Sequence, residues 1–242
     1  MIDATDHNNA NRYHLFKELM PDPHDMSVLD WGGNSGNLLR YSNGEISEPL
    51  YTSVDIDLER LEIGQSAHPS SKFIHYDRWS SAYNHAGNKE YDFPNIDKKQ
   101  DLIYSFSIFT HTSYDEFIKT FEWLDTFDYK YMIHSMLDIQ HTQRLEWFYN
   151  KRINDYGECI DFLSVAKDPS VYIMTVYYNN KIIINDTTTN LINSDNCLVF
   201  YDMEWLCFNL KARGHDITVK TTQPENHPFI IKSTLHYLKK AI

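Results

Sequence analysis

Three of the chain's eight glycines, Gly32, Gly33 and Gly36, fall within five residues. Glycine makes up about 3% of the chain, against roughly 7% in an average globular protein. A chain this sparing with glycine has a backbone reason for placing three together, because glycine enters strained conformations freely and lets other atoms approach the main chain. The cluster follows Ser27-Val28-Leu29-Asp30-Trp31, which reads as a short strand. It precedes Asn37-Leu38-Leu39-Arg40-Tyr41, which reads as a helix. A ligand bound where a strand meets a helix needs backbone without side chains in the way. Gly32 and Gly36 are expected to supply that clearance, and Asn34 enters the left-handed region almost as glycine does.

The rest of the chain repeats the alternation. Strands are expected at 50–55, 72–76, 101–106 and 129–135, with helices at 58–67 and 114–127 between them. In the latter helix Phe117, Phe121 and Leu124 share one face, and Ser113 is placed to cap it. Strands alternating with helices predict an α/β fold with a mostly parallel, Rossmann-like sheet. A helix at 202–213, apolar at Trp205, Phe208 and Leu210, leads through Gly214 to strands at 217–221 and 229–235. These form a terminal antiparallel pair. Between them and the fifth strand lies an α+β insertion, with a helix over 138–156 and a hairpin of 171–178 and 181–184 around Asn179-Asn180. The expected organisation is an N-terminal helical lid (1–26), a core (27–136), the insertion (137–200) and the C-terminal part of the core sheet (201–242).

Composition narrows the function. The 22 basic and 34 acidic residues give a formal charge of −12. Such a chain repels phosphate backbones, so no nucleic-acid partner is expected. No apolar run approaches the roughly 20 residues that cross a bilayer, and the polar, acidic N-terminus does not read as a secretory signal. Cys159, Cys197 and Cys207 are well separated, which fits a reducing cytoplasm and argues against a disulfide framework or thiolate zinc site. His134, Asp138 and His141 have a strand-to-helix break among them, and no metal is expected there.

The segment Val28-Leu29-Asp30-Trp31-Gly32-Gly33-Asn34-Ser35-Gly36 resembles the first motif of the class I S-adenosylmethionine-dependent methyltransferases, with Asn34 in place of the middle glycine. The G-x-G-x-x-G spacing of dinucleotide-binding proteins is not met. An acid two residues before the first glycine also suits a ligand carrying an ammonium and a sulfonium better than a pyrophosphate. By this resemblance Asp30, Gly32, Gly33, Asn34 and Gly36 lie along the cofactor, with Asp30 and Gly32 near its methionine portion. Asp55, in Ser53-Val54-Asp55-Ile56-Asp57, takes the ribose hydroxyls, with Ile56 beside it and Asp57 as the neighbouring alternative. Asp77 meets the adenine amine, flanked by Arg78 and Trp79, and Ser105 and Phe106 line the cofactor from the fourth strand. The resemblance covers residues 1–135 and, more loosely, 202–235.

The cofactor so implied is S-adenosylmethionine, and the expected substrate is a small molecule of the kind met in secondary metabolism. The family's element for methylating base amino groups would sit at Ser105-Phe106-Ser107-Ile108 and is missing, so nucleobase amino groups are disfavoured. In-line methyl transfer needs alignment and exclusion of water, and a hydroxyl or ammonium acceptor needs a proton removed. His111, just past the fourth strand, and His134, at the end of the fifth, are the candidate bases. Tyr13 and His14 are candidates for a lid, and Tyr114 and Asp138 for the substrate side. The insertion's aromatics, among them Trp147, Phe148, Tyr149 and Tyr172, suit a pocket for a planar molecule, burial on the core, or a homodimer face. A protein of this fold that binds the cofactor without turnover, or with non-methyl chemistry, stays open as the alternative.

Overall fold

The computed structural model describes residues 13, 17, 22–80, 84–109, 112, 114–138, 159–164, 171–176, 198–201, 203–212, 217–222 and 232–238. These fall into two compact units. The first comprises Met1–Trp79, Tyr83–Phe106 and Glu122–Ile133, and the second Ser80–Ala82, Ser107–Phe121 and His134–Ile242.

In the first unit, β1 (Val28–Trp31) pairs in parallel with β2 (Tyr51–Asp55) and β4 (Leu102–Ser105), and β2 with β3 (Lys72–His75). The order is β3-β2-β1-β4-β5, where β5 is Tyr131–Asp138. Helices α1 (Asn37–Tyr41) and α2 (Leu58–Ala67) follow β1 and β2. The central strands are apolar because both faces are covered: β1 and β4 are buried along their whole length. Alternate residues divide between the two faces. Val28 packs with Tyr13, Leu38, Leu39, Ile46, Tyr51, Leu102 and Tyr104. Trp31 instead meets Tyr76, Phe93 and Trp123, with ring centroids 5.1, 6.2 and 5.2 Å away. The start of β1 is tied to that of β4 reciprocally. Ser27 donates its amide and hydroxyl to Asp101 Oδ2 (3.0 and 2.9 Å), and the Asp101 amide donates to Ser27 Oγ (2.8 Å).

In the second unit, Phe109, Phe117, Phe121 and His134 form an aromatic cluster. Phe109 meets Phe117 edge-on at 4.8 Å and the His134 imidazole at 4.9 Å. Phe117 and Phe121 belong to α3 (Tyr114–Asp125), where their spacing of four puts them on one buried face, as the periodicity predicts. Strands β6 (Cys159–Ser164) and β7 (Val171–Val176) pair antiparallel, as do β7 and β8 (Leu198–Tyr201). Strands β9 (Ile217–Thr222) and β10 (Lys232–Leu238) form a further antiparallel pair.

Two expectations change here. The fifth strand runs on to Asp138, which therefore ends a strand and does not start a helix; Leu137 and Asp138 gain Phe200 and Tyr201 as parallel partners. Strand β7 pairs with β6 and β8, neither of which was expected, and residues 177–197 lie outside the described residues. In helix α4 (Met203–Ala212) the buried positions are Leu206 and Leu210, four apart on one face, while Phe208 is 73% exposed. The expected caps Ser113 and Gly214 and the helix over 139–156 also lie outside the described residues.

His134 is wholly buried, and burial pushes its imidazole down to about 3. The unfolded chain, with an ordinary histidine near 6.5, binds a proton between these values that the folded protein does not. Stability therefore rises with pH across roughly pH 3 to 6.5. His134→Phe is expected to flatten that part of the urea-unfolding pH profile relative to the parent protein.

Candidate functional site

The turn after β1 is built from left-handed residues. Gly32 has φ 79°, Asn34 φ 54° and Gly36 φ 80°. Asn34 thus takes the conformation expected of it, at the position where the motif it resembles has glycine. Gly33 is required for a different reason. A Cβ there would lie 2.5 Å from Ser53 Oγ and 2.8 Å from Asp30 Cγ, far inside contact distance. Gly33 provides the close approach, and Gly32 and Gly36 provide the positive φ.

Strand β2 holds this turn. The amides of Gly32 and Gly33 both donate to Val54 O (2.7 and 3.2 Å). The Asn34 amide donates to Asp55 Oδ2 (2.8 Å), and the Asp57 amide donates to Asp55 Oδ1 (3.0 Å). Burial pushes the Asp55 carboxyl above its usual value, while the amides of Asp57, Asn34 and Ile56 favour the ionised form. Asp55 thus accepts amides both from the turn and from the residue before the next helix. The helix cap is supplied by Asp57, whose carboxylate accepts the Arg60 amide at 3.1 Å. Asp57 is therefore committed to α2, and Asp55 is the acid directed at the turn.

Asp30 is buried beneath the turn, and Tyr51 donates its hydroxyl to Asp30 Oδ2 at 2.5 Å. Burial and the neighbouring Asp30 carboxylate push the Tyr51 phenol well above its ordinary value, so it stays a donor. Beyond β3, Asp77 is exposed and accepts from Asn84 Nδ2 (3.2 Å). Asp77 O also takes the Asn88 amide (3.0 Å), and Trp79 donates its amide to Asn88 O (2.9 Å), so Asp77 and Trp79 are both tied to Asn88. The Arg78 guanidinium lies 5.7 Å from the Tyr91 ring, and the Lys89 ammonium 5.1 Å from the Trp79 ring. Ser105 is buried at the end of β4, and Phe106 is half-buried, stacked on Tyr104 at 6.4 Å.

The structure therefore brings Asp30, Gly32, Gly33, Asn34, Gly36 and Asp55 together in the first unit. It does not leave Tyr13 free as a lid. Its ring is buried in the core, and its hydroxyl donates to Glu45, which also pairs with Lys17. His14 and His111 lie outside the described residues, Tyr114 begins α3 and Asp138 ends β5. His134 sits among Phe109 and Phe121, in core packing. Sequence reasoning missed Tyr51 and Ser53 as partners of the turn. Tyr51, Ser53 and Asp55 alternate along one face of β2, but nothing local in the sequence names their partners Asp30 and Asn34. It also missed Ser107, which has φ 61° and donates its amide to Ser135 Oγ at 2.7 Å in the second unit. Among the described residues no group of His, Cys, Asp and Glu could hold a metal ion, and no helix is long and apolar enough to cross a membrane.

No protein-family model matches the chain, and no curated protein sequence matches it. Solved structures do. A 1,6-didemethyltoxoflavin-N1-methyltransferase from Burkholderia thailandensis, with bound 1,6-didemethyltoxoflavin and S-adenosylhomocysteine, superposes with TM-score 0.55 at 10% identity, over 98% of this chain and 80% of that one. An S-adenosylmethionine-dependent methyltransferase from Clostridium acetobutylicum gives TM-score 0.52 at 14% identity, over 96% and 92%. Magnesium protoporphyrin IX methyltransferase from Synechocystis, with bound S-adenosylhomocysteine, gives 0.51 at 10% identity, over 99% and 89%.

The double requirement at the turn is testable. Gly33→Ala forces an overlap that overpacking studies place at roughly 1–3 kcal/mol of stability. Gly44→Ala, at φ +87° with nothing within 4 Å, carries only the backbone cost, about 1–2 kcal/mol. Urea titration of both variants is expected to show Gly33→Ala the more destabilised. At identities this low the likeness is one of architecture: the chain has the Rossmann-like fold of class I S-adenosylmethionine-dependent methyltransferases.

Proposed function

We propose that this chain is an S-adenosylmethionine-dependent methyltransferase acting on a small molecule. The observation that carries the reading is the left-handed turn Gly32–Gly36 bound through the Asn34 amide to the carboxylate at the end of β2. The residues fit the cofactor. A Cβ at Gly33 would press on Ser53 and Asp30, so the turn stays bare there, and Asp55 is a carboxylate acceptor suited to a ribose diol through charge-assisted hydrogen bonds. The nearest alternative acid, Asp57, is engaged at a helix cap. That two of the structural neighbours hold S-adenosylhomocysteine supports the same reading.

In this proposal Gly32, Gly33 and Gly36 present bare backbone along the cofactor, Asp30 supports the turn from below near the methionine portion, and Asp55 with Ile56 fixes the ribose. Asp77, Arg78 and Trp79 border the adenine, with Ser105 and Phe106 on the β4 side. The cofactor supplies a methyl group activated by a sulfonium. The chain's task is to align the acceptor, exclude water and remove a proton where the acceptor carries one. Of the two histidines we assign the base to His111, because His134 is enclosed in apolar packing and a base must reach the proton it takes. Tyr114 and Asp138 are assigned to the substrate side. We further propose a role in small-molecule biosynthesis, a cytoplasmic setting consistent with the sparse cysteines, and the insertion as the place for substrate or a second copy.

A ligand that binds only the folded state raises the melting temperature by mass action. S-adenosylhomocysteine at about 100 times its dissociation constant is expected to add about 2.7 kcal/mol, a shift of several degrees, while NADH gives none. A shift with NADH and none with S-adenosylhomocysteine would remove the methyltransferase reading.

A further inference from the structure

Three side chains of β2 reach the turn from one face, and the middle one has no role in the reading above. Tyr51, Ser53 and Asp55 are spaced by two, so they project to the same side of the strand. Tyr51 donates to Asp30 Oδ2, Ser53 Oγ donates to Asn34 O at 3.2 Å, and Asp55 Oδ2 accepts the Asn34 amide at 2.8 Å. The Asn34 residue is thus gripped at both of its backbone polar groups. Its side chain is engaged as well, because Asn34 Oδ1 accepts the Ser35 amide at 2.8 Å. The grip answers a physical need. A residue with a Cβ is disfavoured in the left-handed region by roughly 1–2 kcal/mol, a cost that glycine avoids. Asn34 stands at φ 54°; asparagine bears less of this cost than other residues with a side chain, and these hydrogen bonds offset what is left. Ser53 is fully buried opposite Asp30 on β1, and its hydroxyl also lies within hydrogen-bond reach of the Tyr51 phenol.

We propose that Ser53 is a positioning residue for the cofactor loop: by holding the Asn34 carbonyl it keeps the Asn34 amide on Asp55, and so orients that carboxylate for the ligand. The ligand arm of this inference rests on the methyltransferase reading, but the ordering of the turn does not. The control is Thr52, a buried neighbour that the strand's alternation turns to the opposite face.

The test compares Ser53→Ala with Thr52→Ala by residue-resolved amide hydrogen exchange in the ligand-free protein, followed by calorimetric titration with S-adenosylhomocysteine. In Ser53→Ala the Asn34 amide is expected to exchange roughly three- to tenfold faster than in the parent, the usual worth of one hydrogen bond. The β1 amides of Val28 to Trp31 follow only the change in global stability. The Asp55 carboxyl titrates at higher pH, because a loosened Asn34 amide no longer favours its ionised form. Affinity for S-adenosylhomocysteine falls by a similar roughly three- to tenfold. Thr52→Ala lowers stability without changing Asn34 exchange beyond the global effect, and without changing affinity. Ser53→Cys keeps a weak donor and falls between Ser53→Ala and the parent; it carries the comparison if Ser53→Ala does not fold. Unchanged Asn34 exchange and unchanged Asp55 titration in the folded variant overturn the proposal. If the parent protein itself fails to bind S-adenosylhomocysteine, the functional reading falls, and the exchange and titration data still decide the role of Ser53.

Discussion

A carboxylate at the end of one strand holding the amide of a left-handed residue at the end of the next is the constraint on which this site depends. The Asp55 to Asn34 hydrogen bond joins β2 to the turn after β1. The turn packs three left-handed residues, Gly32, Asn34 and Gly36, into five positions, and this hydrogen bond fixes the one of them that carries a side chain. The sheet brings the anchor within reach through its parallel register, in which Asp30 faces Ser53 and Trp31 faces Val54. Val54 O then takes the amides of Gly32 and Gly33, so the main chain and side chains of β2 converge on one loop. The arrangement stiffens the place where a ligand's polar groups would otherwise have to order the backbone themselves, and ordering a loop on binding weakens affinity.

The rest of the first unit supports that geometry from both faces. On one side Tyr51 is packed with Tyr13, Leu38 and Leu39 and donates to Asp30, so the helix after the turn and the acid before it share one core. On the other side Trp31 contacts Tyr76, Phe93 and Trp123, and Phe93 stacks on Trp123 at 4.5 Å and on Tyr76 at 5.9 Å. Rings of this size fix the strand end by area and shape. A turn seated between two packed layers has little freedom to relax, which is why a single Cβ at Gly33 has no room.

The cofactor side of this account was legible in the sequence, and the substrate side was not. Gly32, Asn34, Gly36 and Asp55 could be read because each carries a local backbone or charge signature within a strand–turn–helix order. The assignment of capping to Asp57 and of the turn to Asp55 required coordinates, since two acids two residues apart in sequence look alike. Tyr51 and Ser53 were passed over because polar groups on a buried strand become meaningful only when their partners on another strand are known. The same is true of Asp138. It ends a strand because its partner Tyr201 lies far along the chain, and local periodicity carries no record of such pairing. Phe208 shows that apolar character alone does not assign a face, since Leu206 and Leu210 hold the inner side of its helix while Phe208 is exposed.

The claim that Asp55 is the ribose acid of an S-adenosylmethionine site is met most directly by a crystal structure of the protein grown with S-adenosylhomocysteine. The account predicts ribose hydroxyls within about 3 Å of the Asp55 carboxylate oxygens, the usual hydrogen-bond length, with Asn34 still left-handed and its amide still on Asp55. A ribose seated away from Asp55, or a turn that takes up no S-adenosylhomocysteine at saturating concentration, would contradict it.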